Sequence, residues 1–407
     1  MISPAEIKKA AEVVKGVIIR TPLVYSPTLS RIAGFKVYLK LENLQVTGSF
    51  KIRGAAFKIL SEVGKIGRLG VVAASAGNHA QGVAMAASRA GLPSIIVMPD
   101  WASISKQEAT RGYGGKVILE GQSVADSIKR ALELAKDGKT FIHPFDDPSI
   151  IAGQGSIGLE IMEELPDVDL IAVPVGGGGL AAGISVAARA GRPGIRIVGV
   201  QAQSCPSALK AVETGERITV EAHRSIADGI TVRQIGCIPF SIVRKEVEQI
   251  VLASEDRIAE AVIMLLERKK ILAEGAGAVC VAALLSGTIK APPEAKAVLV
   301  ISGGNIDISL LDRVIRKGLS RNGRIMRFSV RLDDMPGALA KLLGVIAGAK
   351  ANVLQIYHNR GGAGMSIDQS LVELEIETRN FEHIGEIEAA LDQAGYYMEG
   401  GRLKAEG

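Results

Sequence analysis

The sequence predicts an α/β protein with a smaller βαββαβ unit at its C-terminal end, and three observations lead there. First, from about Lys36 to Gly304, short apolar runs alternate with helical stretches. The runs include Val71-Val72-Ala73, Ser94 to Met98, Leu170 to Val173 and Ala297 to Ile301; between them lie segments such as Ser123 to Lys136 and Asp256 to Lys269. Continuous apolar strands separated by helices indicate parallel sheets covered on both faces. Second, glycine numbers 47 of 407 residues while aromatic residues make up only 4%, a balance suited to many tight strand-to-helix turns. Third, beyond residue 320 the rhythm becomes strict alternation, the mark of half-buried strands.

In that last stretch Met326, Phe328, Val330 and Leu332 alternate with polar residues, and Asp334-Met335-Pro336-Gly337 turns the chain. Leu339, Leu342, Leu343 and Ile346 form a helical stripe, Asn352 to His358 a strand, and Val372, Leu374 and Ile376 interleave with Glu373, Glu375 and Glu377. A helix from about Glu382 to Ala394 and a strand near Tyr396 complete a βαββαβ order, a ferredoxin-like unit of roughly 80 residues. The polar breaker Ser320-Arg321-Asn322-Gly323-Arg324 predicts a linker at 321–324, dividing 1–320 from 325–407.

At 407 residues and 47% apolar content the chain has material for more than one core. Its net charge of +5 is scattered among acids, without the basic patch or finger spacing of a nucleic-acid binder. Cys205, Cys237 and Cys280 offer neither a disulfide framework nor a CxxC pair, which fits a reducing compartment. No apolar run is long enough to span a bilayer. A cytoplasmic protein is expected, without nucleic-acid or membrane partners. His143, His223, His358 and His383 lack metal-ligand spacing and are read as structural; no metal site is expected from them.

In a doubly covered parallel sheet, ligands gather beyond the carboxyl ends of the strands, so the loops there carry the chemistry. Thr47-Gly48-Ser49-Phe50-Lys51-Ile52-Arg53-Gly54 places a lysine in a small-residue turn. A lysine whose charged form is disfavoured is a nucleophile able to form a Schiff base; taken alone, it is an ordinary surface lysine. Val71 to Gly82 runs from strand through Ser75-Ala76-Gly77-Asn78-His79 into a helix, either a plain N-cap or a carboxylate site. Val173-Pro174-Val175 meets four consecutive glycines, Gly176 to Gly179, then Leu180 and an Ala-rich helix. Ordering four glycines is costly, and side-chain-free backbone with a helix N-terminus can wrap a phosphate. Without a following Lys-Ser/Thr it is not a nucleoside-triphosphate loop. Gly153-Gln154-Gly155-Ser156-Ile157-Gly158 spells GxGxxG but follows no strand directly, and is read as close helix packing. Ser302, in Ser302-Gly303-Gly304-Asn305, can offer a neutral hydroxyl to a ring nitrogen.

In the order SFKIRGA, SAGNHAQG, PVGGGGLAAG, ADGI and SGGN, these motifs resemble the serine/threonine dehydratase group of fold-type II pyridoxal-phosphate (PLP) enzymes, and within it the threonine dehydratases. The resemblance covers roughly residues 5 to 320; the tail resembles an ACT domain, a module that binds amino acids. It implies a two-subdomain, tryptophan-synthase-β-like catalytic part over 1–320, with a smaller subdomain at about 40–150 inserted in the larger. By the same resemblance Lys51 bonds the cofactor aldehyde and moves the α-proton. Gly176, Gly177, Gly178, Gly179 and Leu180 cradle the phosphate, Asn78 meets the ring hydroxyl and Ser302 the ring nitrogen. Phe50 and Gly229 border the ring, and Ser75, Ala76, Gly77 and Asn78 hold the substrate carboxylate. The implied activity is that of a threonine ammonia-lyase: L-threonine to 2-oxobutanoate and ammonia, with L-serine giving pyruvate. Serine dehydratase, serine racemase, β-replacement synthase and a non-catalytic sensor are the competing readings.

Two departures bear on these. Racemases of the group carry a serine where this chain has Ala76, which cannot transfer a proton. Their acidic cation ligands are replaced by Gln201, Cys205 and Ser207, a neutral set poor for Mg²⁺, leaving room for a monovalent cation held by carbonyls. In the tail, resemblance places an isoleucine or valine effector at Asp334, Met335, Pro336, Gly337 and Asn352, at an interface between two such domains. It implies a homodimer or homotetramer and, with isoleucine-sensitive regulation, a place in isoleucine biosynthesis; without that regulation a catabolic role stays open.

Overall fold

A computed structural model describes residues 2–361 and 366–399; the C-terminal end of the expected tail domain lies outside them. The chain forms two compact units, Met1–Leu310 and Leu311–Gly407.

The first unit holds two sheets. One comprises β1 (Leu23–Tyr25) and β2 (Lys36–Leu41). The other is made within residues 71–141 from β3 (Val71–Ala74), β4 (Ser94–Met98), β5 (Lys116–Leu119) and β6 (Thr140–Phe141), in the parallel order β5-β4-β3-β6. The chain then returns to the first sheet with β7 (Leu170–Pro174), β8 (Arg196–Ala202), β9 (Gln249–Ala253) and β10 (Lys296–Ile301), giving the order β1-β2-β10-β7-β8-β9. All pairs in it are parallel except β1 with β2. The smaller sheet is therefore an insertion between β2 and β7. Every residue of β3 and β7 is buried, as expected of strands covered on both faces.

Glycines set the closest approaches of the helices. The GxGxxG stretch lies inside the helix Pro148–Glu164. A Cβ at Gly155 would come within 2.9 Å of the Gly183 carbonyl, and one at Gly158 within 2.8 Å of Ala187 Cβ. The motif serves helix packing, as its position off a strand end predicts.

The second unit contains β11 (Ile325–Asp333), β12 (Asn352–Asn359), β13 (Gln369–Glu377) and β14 (Met398–Glu399), with helices Ala338–Gly348 and Phe381–Gln393. Its antiparallel order β12-β13-β11-β14 gives a βαββαβ chain with the two central strands contributed by its first and third strands. Phe328, Val330, Leu332, Leu342, Ile346, Val372, Leu374, Ile376, Ile387 and Leu391 form its core, which is the alternation read from sequence.

The boundary differs from the expected linker at 321–324. The units divide at 310/311, within the helix Ile308–Arg321. Gly323, at φ +64°, ends that helix: its amide donates to the Ser320 carbonyl and the Arg324 amide to the Leu319 carbonyl. A left-handed glycine that closes a helix spells the same polar breaker as a loose connection. Packing decides between them, and Thr378 Oγ1 donates to the Gly323 carbonyl at 2.6 Å.

Candidate functional site

In the larger sheet β2, β10 and β7 run parallel and deliver their loops to the same edge, and the loop after β3 in the smaller sheet meets them where Asn78 Oδ1 accepts from Asn305 Nδ2. Lys51 is the first residue of the helix Lys51–Ser61. Its loop is stitched to the end of β10: Ser49 bridges Gly303, the Phe50 amide donates to the Ser302 carbonyl at 3.1 Å, and the Gly304 amide donates to the Gly48 carbonyl at 2.9 Å. Gly48, at φ +70°, lies where a side chain would collide with Asn305.

Lys51 Nζ donates to the Pro144 carbonyl at 3.0 Å and stands 5.1 Å from the centre of the Phe50 ring. Burial pushes its pKa down to about 8, opposed in part by Glu274. A helix N-terminus is also an unfavourable place for a cation. The neutral amine, the nucleophilic form, is thus accessible near neutral pH.

Behind this helix Arg53 is fully buried, paired with Glu42 at 2.8 Å and with Glu160 at 2.6 Å. Two carboxylates and the Ser156 hydroxyl satisfy the guanidinium. Removing one partner of such a buried group leaves uncompensated charge, so the network holds the lysine-bearing helix in place.

The glycine run follows β7, and its helix begins at Gly179, where the first amides have no intrahelical acceptor. Gly178 has φ +90°. A Cβ on Gly177 would be driven into the Phe145 ring, and one on Gly179 would lie 2.8 Å from Gln154 Oε1. Phe145 directly follows the residue whose carbonyl receives Lys51, so one short segment joins amine and glycine run. Gln154 is buried with neither end of its amide paired among the described residues, and its Oε1 lies 2.8 Å from where a Cβ on Gly179 would be, facing the start of this helix. A cradle that side chains would fill, open amides and a destabilised ammonium fit a phosphorylated aldehyde.

Asn78 opens the helix Asn78–Arg89. Its Nδ2 donates to Glu274 Oε1 at 2.7 Å, and its Oδ1 accepts from Asn305 Nδ2 at 2.8 Å; Asn305 Nδ2 also donates to the Thr47 carbonyl at 2.8 Å. Ser75 Oγ accepts from the Gly77 amide, which shapes the loop containing Ala76 at the helix N-terminus. Ser302 is buried at the end of β10, its hydroxyl 3.3 Å from the Ala276 carbonyl, a long bond that leaves it free to turn. Gly229 lies in the short turn Asp228–Ile230, and a Cβ there would be 3.7 Å from Glu274 Oε1. The chemistry-bearing positions read from sequence in this unit thus come together.

Sequence reasoning missed several participants. Glu274 is buried, and burial, reinforced by Asp228, raises its pKa to about 7. Its signal was an acid among small residues, Ala273-Glu274-Gly275-Ala276-Gly277, just before an apolar helix. Asn305 stood in a quoted motif without a role. Phe145 and the Pro144 carbonyl had no sequence signal.

Gln201 spends its amide on the protein: Nε2 donates to the Val175 carbonyl, and Oε1 accepts from the Ala208 and Leu209 amides. Ser207 Oγ donates to the Val232 carbonyl at 2.6 Å. Among the described residues no cluster of three His, Cys, Asp or Glu could hold a metal, and no helix is long and apolar enough to cross a membrane. His79 is buried, its Nε2 2.9 Å from the Ile142 carbonyl, and burial lowers its pKa to about 3, keeping it neutral.

In the second unit a cavity of about 430 Å³ is lined by residues that include Asp334, Met335, Pro336, Gly337, His358, Arg360 and Ser370. Arg360 Nε donates to Asp334 Oδ1 at 2.9 Å, and the buried Ser370 hydroxyl has no partner among the described residues. Asn352 does not join this cavity. It opens β12 opposite Glu377, whereas the cavity takes its residue from the other end of that strand, at His358. His358, read as structural, is a lining residue.

Fold and site together define a PLP-binding α/β enzyme. Residues 14–303 match the family model for pyridoxal-phosphate dependent enzymes, and the chain belongs to that family. It is 48% identical over 398 residues to an L-threonine ammonia-lyase of Thermotoga maritima, covering 97% of this chain and 98% of that one. Among solved structures it resembles maize serine racemase (TM-score 0.74, 32% identity, 78% of this chain and 98% of that one). It also resembles a T.th. threonine deaminase (TM-score 0.71, 36% identity, 75% and 99%).

Proposed function

We propose that this chain removes water and ammonia from L-threonine to give 2-oxobutanoate, and from L-serine to give pyruvate. The observation that carries this is the amine of Lys51, destabilised as a cation and bonded to the Pro144 carbonyl, next to the Phe145 that packs under Gly177, on a loop tied to the Ser302 carbonyl. The near-full-length likeness to an L-threonine ammonia-lyase supports the substrate. PLP, when bound, supplies the electron sink that acidifies the substrate Cα–H. Lys51 is the group that would bond the cofactor and, once released by the substrate amine, take the α-proton, so that the β-hydroxyl can leave as water. Amides of Gly176 to Leu180 hold the phosphate, Asn78 orients the ring oxygen, and Phe50 and Gly229 border the ring. The loop Ser75-Ala76-Gly77, with Asn78, holds the substrate carboxylate at a helix N-terminus. A neutral Ser302 hydroxyl at the ring nitrogen leaves the ring a weaker sink than a carboxylate would, which favours prompt loss of the β-hydroxyl over transamination.

The likeness to a serine racemase raises a second reading, and Ala76 weighs against it: a methyl group cannot deliver a proton to the opposite face. Measuring keto acid from L-threonine and L-serine beside chiral analysis of recovered serine tests the choice. Racemisation faster than keto-acid release would overturn the assignment.

For the second unit we infer an ACT-like regulatory domain sensing a branched amino acid such as isoleucine or valine. Asp334 suits an α-ammonium, Arg360 and the start of helix Ala338–Gly348 suit an α-carboxylate, and the unpaired Ser370 hydroxyl adds a directional contact. The exposed edge strand β12 suits pairing with a second copy, in keeping with a homodimer or homotetramer. Isoleucine sensitivity would place the enzyme in cytoplasmic isoleucine biosynthesis. Repeating the keto-acid assay with isoleucine and valine tests this; an unchanged rate at saturating effector removes the regulatory reading.

A further inference from the structure

We propose that Glu274 is a positioning residue which locks the Asn78 amide toward the cofactor ring, and that the carboxyl's charge sets the protonation of the Lys51–cofactor imine. The inference rests on the reading of Lys51 and Asn78 given above and adds a group that reading does not use.

An asparagine amide can present either end to a ligand unless something distinguishes them. Here both ends are engaged. Glu274 Oε1 takes one hydrogen from Asn78 Nδ2 at 2.7 Å, while Asn305 Nδ2 donates to Asn78 Oδ1 at 2.8 Å. Asn305 is itself fixed by the Thr47 carbonyl, four residues before the lysine. The flipped amide would set NH₂ against NH₂ and oxygen against a carboxylate. One Nδ2 hydrogen therefore remains, and it is directed by two partners on different elements. Glycine at 303 lets the carboxyl sit there: a Cβ at Gly303 would overlap its Oε1. The Glu274 amide donates to the Gly303 carbonyl at 3.1 Å, tying it to the turn that presents Ser302.

Glu274 Oε1 lies where a Cβ on Gly303 would be, and Gly303 bridges Ser49, two residues before Lys51, so the buried carboxyl is also an electrostatic control on the lysine. The charged groups facing Glu274 are Asp228 from the short turn, Lys106 from the helix Ile104–Gly112 and Lys51 from its own helix. Lys106 is shared with Asp228 at 3.2 Å and Asp307 at 3.4 Å, so its charge is largely offset locally. When ionised, Glu274 favours the protonated imine; when protonated, it does not.

The test is the pH titration of the visible absorbance of PLP-loaded protein, with Lys51→Ala as the reference for loss of the imine band. In Glu274→Gln the band should persist, because the amide preserves shape, and its midpoint should fall by about one pH unit, the lower end expected for losing an adjacent opposite charge. The pH profile of kcat should move with it. Asn78→Ser should lose the ring contact, and adding Glu274→Gln to it should change PLP affinity less than twofold, since coupled residues are not additive. Should Glu274→Gln fail to fold, Asn305→Ala reports on the same lock and should weaken PLP binding severalfold. A wild-type band that depends on Lys51, with a midpoint unmoved in Glu274→Gln or affinity unmoved in Asn305→Ala, overturns the inference alone. A wild type that takes up no PLP overturns the reading beneath it.

Discussion

The two units solve the burial of polar groups in opposite ways. In Met1–Leu310, strands covered on both faces send their loops to one edge, and functional groups sit inside the protein: Glu42 and Arg53 are fully buried, and Glu274 is 5% exposed. Their pKa values and hydrogen bonds are therefore set by neighbours. In Leu311–Gly407 a single antiparallel sheet carries polar groups at the mouth of a cavity, where Arg360 keeps 66% of its side chain in solvent. An exposed ion pair contributes little to stability, so that site can be altered without cost to the fold. The first unit stores its chemistry in desolvation, the second in accessibility.

That contrast can be broken or sharpened experimentally. The largest effect is expected at Lys51: Lys51→Ala should lower kcat by on the order of 10³-fold in a keto-acid assay and abolish the visible band of the PLP-loaded protein. Next comes Gly177→Ala, whose methyl would press on Phe145. An overpacked site costing about 1–3 kcal/mol should weaken PLP binding by about tenfold or more, read by fluorescence titration. In the second unit Asp334→Asn should leave basal kcat unchanged while reducing any effector response by about 5-fold or more, measured with isoleucine and valine. Loss of basal activity there would mean the two sites are not separable as described.

A separate effect is on the stability of the apo-protein, measured by denaturant titration against pH. Glu274 is raised from 4.5 to about 7, so the folded state holds its proton longer. That contribution is complete below pH 4.5 and is lost as pH rises to 7. Lys51 is lowered from 10.5 to about 8, so the unfolded state binds more protons between those values, and stability rises again with pH from about 8 to 10.5. Glu274→Gln should remove the fall and Lys51→Ala the recovery.

Much of this was legible along the chain. Lys51, Asn78, Gly176 to Gly179 and Ser302 each follow a strand, and strand ends are recognisable by apolar runs that stop at small residues. The alternation of Val372, Leu374 and Ile376 with glutamates marked the antiparallel sheet as plainly. At Gly323 the letters of a linker are also those of the helix cap that the structure shows there.

What sequence by itself determined was the set of loops and the chemistry they can carry, since backbone freedom at glycine and the nucleophilicity of an amine are local properties. Only the tertiary structure decided that Glu274, some 200 residues from Asn78, holds its amide, that Phe145 sits under Gly177, and that Asn352 lies away from the cavity at His358. Those facts depend on which strands become neighbours and on how far each carboxyl or amine is drawn out of water, and neither distance nor desolvation is written in residue order.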